Sequence, residues 1–72
     1  MMDARAKTRV IGVIKGRLAE IGMPATELSA MAHISSATFT RRMKNPETLT
    51  LGEIWRLEDA LHLERGTIGG VK

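Results

Sequence analysis

Apolar positions recur at helical spacing along the whole chain, and no stretch alternates with the two-residue period of a strand over a useful length. An all-α fold follows. Placed at about 100° per residue, Val10, Ile11, Ile14, Leu18 and Ile21 share one stripe, of the width that faces a core. This predicts a first helix from about Asp3 to Ile21. Gly12 and Gly16 fall on its opposite side, where each costs about 1 kcal/mol against Ala but leaves no hole in the core. Gly22 then supplies a left-handed stop, and Pro24 suits the first turn of a new helix.

A short second helix is expected from roughly Pro24 to Ala32, with Leu28 and Ala32 inward. The pattern breaks at His33-Ile34-Ser35. Ser35 is a good N-cap, since its hydroxyl can accept a bond from an orphaned backbone N–H, and the third helix is placed from Ser36 to about Lys44. Asn45-Pro46 ends it, because proline disfavours helical geometry in the residue before it. Thr50-Leu51-Gly52-Glu53 has the form of a capping box, opening a fourth helix whose inward residues Ile54, Leu57 and Leu61 carry it to about Leu63. Gly66, Gly69 and Gly70 disfavour a regular fifth helix, so a short turn or a loose tail is expected there.

Composition narrows the class. The 72 residues suit one compact domain, 1–72, with its core at about 8–63 and short tails on either side. Hydrophobic residues at 43% and charged residues at 26% describe a folding chain rather than a disordered one. There is no cysteine, hence no disulfide framework or thiolate metal site, which fits a reducing cytoplasm. So small a core favours a homodimer that buries further area. No apolar run approaches the roughly 18 residues that span a bilayer, and the charged stretch from Met1 to Arg9 does not resemble a secretory signal.

The net charge of +3 permits a polyanionic partner, and its distribution says more. Between Glu27 and Glu47 there is no acidic residue, while Arg41, Arg42 and Lys44 fall inside that gap. Leu28, Ala32, Ile34 and Phe39 have the spacing that lets two short helices cross steeply around a tight turn, with small Ser29 at the closest approach. Relative to Phe39, the residues Ala37, Thr40, Arg41 and Lys44 lie opposite the core. A helix that presents small groups first and cations later can enter a major groove, because short side chains allow close approach to base edges.

At these residues the chain resembles the lambda-repressor-like and Cro-like helix-turn-helix family of phage and bacterial regulators. Thr26-Glu27-Leu28-Ser29-Ala30-Met31-Ala32 is similar to the family's first motif helix, and Ile34 to Arg41 to its turn and recognition helix. Thr38 to Glu47, followed by Thr50-Leu51-Gly52-Glu53, resembles small phage-encoded members; the likeness covers roughly residues 8–63. It implies a compact four- to five-helix DNA-binding domain and a homodimer on a two-half-site operator in double-stranded DNA. It further implies base contacts from Ser36, Ala37, Thr40 and Arg41, and phosphate contacts from Thr26, Ser35, Arg42 and Lys44. Three positions differ from the family pattern. His33 stands where the turn usually has Gly, and Ala25 where a phosphate-gripping Gln is usual. Arg42 replaces a buried aliphatic, a role that Met43 is expected to assume.

Plainer explanations apply to several of these residues. Arg41, Arg42 and Lys44 taken alone describe a solvated helix face; the turn, the caps and the absent acids favour DNA contact instead. His33 and His62 lack further ligands at metal spacing, and Glu53, Glu58 and Asp59 have no nucleophile near them in sequence. Nothing argues for an enzyme, a cofactor or a small-molecule substrate. Trp55 suits either core packing or a dimer contact, for which the C-terminal tail is a second candidate. The principal expectation is a sequence-specific transcriptional regulator, in the manner of a phage or mobile-element repressor. The alternatives are a protein–protein interaction module, antirepressor-like or scaffold, that keeps the fold without specific DNA binding, or an antitoxin.

Overall fold

Asp3 starts the first helix as expected: its carboxylate accepts the Ala6 N–H at 2.8 Å, and α1 runs Ala4–Ile21 to a stop at Gly22, left-handed at φ 69°. The computed structural model describes residues 3–69. Three further helices follow: α2 (Ala25–Met31), α3 (Ser36–Lys44) and α4 (Leu51–Ala60). A single 3-10 turn at Pro46–Thr48, with Pro46 buried, joins α3 to α4, a connection that the apolar pattern does not signal. No strand occurs among the described residues, and the protein is all-α, measuring 28 × 25 × 20 Å.

Val10 and Ile14 from α1 meet Leu28, Phe39, Leu57 and Leu61 in one core. Each such side chain, fully buried, contributes about 1.5–3 kcal/mol relative to exposure. Gly12 and Gly16 face open space, as their place off the stripe requires. Ile21 departs from expectation: it is 37% exposed, and Met23, just beyond the Gly22 turn, packs on the core instead.

Helix α2 starts one residue later than expected, with Pro24 outside it at ψ 150°. It packs on α4, and α3 packs on α2. Helix α4 opens with the full capping box between Thr50 and Glu53 but ends at Ala60, short of Leu63, because His62 turns left-handed at φ 57°. The segment 61–69 forms turns rather than a fifth helix, yet it is not loose. Ile68 is fully buried in the core, beyond the expected limit at about residue 63. Two opposed side chains hold this segment. Oε2 of the buried Glu58 accepts the N–H groups of Gly66 (3.0 Å) and Ile68 (2.8 Å), while Arg9 donates to the carbonyls of Thr67 (3.1 Å) and Ile68 (2.6 Å). Gly70 lies outside the described residues. No helix among the described residues is long and apolar enough to cross a membrane.

Candidate nucleic-acid interface

The path from α2 to α3 is fixed by backbone bonds that terminate α2. His33 is left-handed at φ 57°; its N–H bonds to the Ala30 carbonyl (3.2 Å), and the Ile34 N–H reaches back to Ser29 (2.9 Å). This paired bonding satisfies carbonyls that a helix end otherwise leaves open. Arg56 of α4 donates from Nε to the carbonyl of Ala32 (2.7 Å). Ser29 is buried at the crossing, as its size allows, and its hydroxyl donates to the Thr26 carbonyl at 2.9 Å.

Ser35 then caps α3. Its Oγ accepts the Thr38 N–H at 3.2 Å and donates to Thr38 Oγ1 at 2.8 Å. Phe39 is buried and Met43 packs against the core, which fixes the inner face of α3 and supports the role expected of Met43. Ser36, Ala37, Thr40, Arg41 and Lys44 are all exposed on this helix. Thr40 donates to the Ser36 carbonyl (2.9 Å), a bond within its own helix, and Arg41 Nη2 donates to Thr38 Oγ1 (3.3 Å). Lys44 makes no ion pair among the described residues. Ser35 heads this face, and Thr26 is exposed on α2.

Arg42 is placed differently. Its guanidinium meets Glu53 of α4 through Nε–Oε1 at 3.1 Å and Nη2–Oε2 at 3.5 Å, with the carboxylate side chain only 11% exposed. Glu53 Oε1 also accepts the Thr50 N–H at 2.9 Å. Burial tends to raise the Glu53 pKa, but the Thr50 N–H and then Arg42 outweigh it and hold the carboxyl below its ordinary value.

Most other arginines are likewise engaged within the protein. Arg17 donates to the Leu61 carbonyl (2.8 Å) and to Glu20 (3.0 Å). Arg65 lies 4.9 Å from the Trp55 ring centroid and bonds Asp59 at 3.4 Å. Trp55 itself is half-buried. With Arg9 and Arg56, these residues serve the fold. Sequence reasoning missed the carbonyl bonds of Arg9, Arg17 and Arg56, since partners 24 to 59 residues away leave no local signal. Lys7 pairs with Glu47 at 3.4 Å. The exposed cations of α3, Arg41 and Lys44, thus stand beside small side chains on a face with no acid in its helix. Among the described residues no cluster of three metal-ligating groups forms. No family model, curated protein or solved structure matches this chain.

Proposed function

We propose that the chain is a sequence-specific, double-stranded DNA-binding transcriptional regulator of the lambda-repressor-like type, in which α2, the turn at 32–35 and α3 form a helix-turn-helix. The observation that carries this reading is the outer face of α3. Ser36 and Ala37 at its start, Thr40 beside them, and Arg41 and Lys44 further along are all exposed. An α-helix about 10–12 Å across fits a major groove about 12 Å wide. The small side chains let its first turn approach base edges, and the planar fork of Arg41 can donate two bonds to the O6 and N7 of a guanine. In this reading Thr26, Ser35 and Lys44, all exposed, meet phosphates, which supply affinity without sequence preference. Arg42, paired with Glu53 through Nε and Nη2, is a further candidate for phosphate contact. As a homodimer the protein reads two half-sites about 34 Å apart, and a promoter so occupied is closed to polymerase.

Gel-shift binding to duplex from upstream of its own gene, beside random duplex and across a salt series, tests this reading. Affinity is expected to fall steeply with salt while a preference for one sequence persists. Arg41→Ala is expected to cost about 1–3 kcal/mol of discrimination at one base pair. A wild-type protein that binds all duplexes alike at moderate salt rules the reading out.

A further inference from the structure

Ser35, Thr38 and Arg41 are spaced by three residues and joined in a chain of hydrogen bonds. The Ser35 hydroxyl, fixed by accepting the Thr38 N–H, donates to Thr38 Oγ1; that oxygen also accepts from Arg41 Nη2. Thr38 holds the third position of α3, from which Glu53, at the third position of α4, reaches back to close a capping box. The Thr38 oxygen instead accepts from the cation one turn further on. Threonine suits this task, because its branched Cβ leaves few rotamers and the half-buried side chain is further confined.

We propose that Thr38 is a positioning residue for base recognition, tying the Arg41 guanidinium to the N-cap of α3 so that it meets the groove already oriented. The inference rests on the DNA-binding reading above. Two-bond recognition of a base edge requires the guanidinium plane in one pose, and an arginine ordered beforehand loses less freedom on binding. A residue that served only the cap would affect helix stability and weaken binding to every duplex alike.

The test uses the full chain and a duplex selected by the wild type from a random-sequence pool. Thr38→Val keeps the branched shape and removes the acceptor; Thr38→Ser keeps the hydroxyl. Thr38→Val is expected to lower discrimination about three- to tenfold at the base pair that Arg41→Ala affects, with the salt slope unchanged because no charge is lost. Thr38→Ser restores discrimination, and Thr38→Val adds nothing in an Arg41→Ala background. In the free protein, NMR should find the Arg41 guanidinium rotating faster in Thr38→Val than in wild type. Loss spread evenly over all base pairs, or unchanged discrimination and guanidinium rotation in Thr38→Val, overturns the inference alone. A wild type that enriches no duplex overturns the DNA reading and the inference together.

Discussion

The helix ends at His33 and His62 are built alike but lead to different segments. Each places a left-handed histidine at φ 57° just after the helix. In each, the histidine N–H bonds a carbonyl three residues back at 3.2 Å, and the next N–H reaches five residues back, to Ser29 or to Glu58. In each, an arginine from another helix takes the carbonyl before the histidine: Arg56 on Ala32, Arg17 on Leu61. The onward paths diverge. After His33 comes buried Ile34 and the Ser35 cap of α3; after His62 comes half-buried Leu63 and a turn held by Glu58. A histidine in the left-handed region is therefore a helix stop rather than a functional mark. Any recognition function at the first end depends on α3, the helix it leads into.

The largest expected effect breaks the likeness between the ends. Ile34→Ala should destabilise by about 2–4 kcal/mol because it opens a cavity, and Leu63→Ala by less than about 2. Urea unfolding measures both, and equal losses would mean that the two ends pack alike. Removing the arginines should restore the likeness. Arg56→Ala and Arg17→Ala each leave a part-buried carbonyl without its donor, at about 1–2 kcal/mol apiece.

Acid should then separate the ends. Glu53 has a folded pKa below its unfolded value, so its stabilisation is present above the unfolded pKa and fades as pH falls through the folded one. Melting followed below about pH 4.3 should therefore show part of the loss disappearing in Arg42→Ala, whose effect is confined to the α3–α4 contact. Smallest is relief of the left-handed strain. His33→Gly and His62→Gly should each raise stability by about 0.5 kcal/mol, since glycine tolerates this backbone but costs entropy in the unfolded chain. A gain at one site only would show that the matching dihedral angles conceal different strain.

The legible part of the sequence was local. The Ser35 cap, the Thr50–Glu53 box and the Gly22 stop each work within a few residues, and the structure has all three where the sequence put them. The outer face of α3 was legible too, because exposure follows from the angle to Phe39. His33 falls where the helical pattern breaks before the Ser35 cap, whereas His62, in Leu61-His62-Leu63, interrupts no such pattern. The arginine–carbonyl bonds and the burial of Ile68 depend on residues distant in sequence, so periodicity could not reveal them. The turn glycines suggested looseness, and they carry no sign of the Glu58 side chain that holds the segment.

That hold on residues 66–68 bears on how the chain comes to be folded. Among the described residues, Val10 is the first to be buried and Ile68 the last, and Arg9 joins them across 59 positions. Contacts of such long range must first overcome loop-closure entropy, and a single domain of this size unfolds as one cooperative unit. The core therefore closes fully only once residues 66–68 are in place. A nascent chain lacking residues 66–68 would leave α1 and α4 with an open seam, and shortening the protein from that side should release the whole core together.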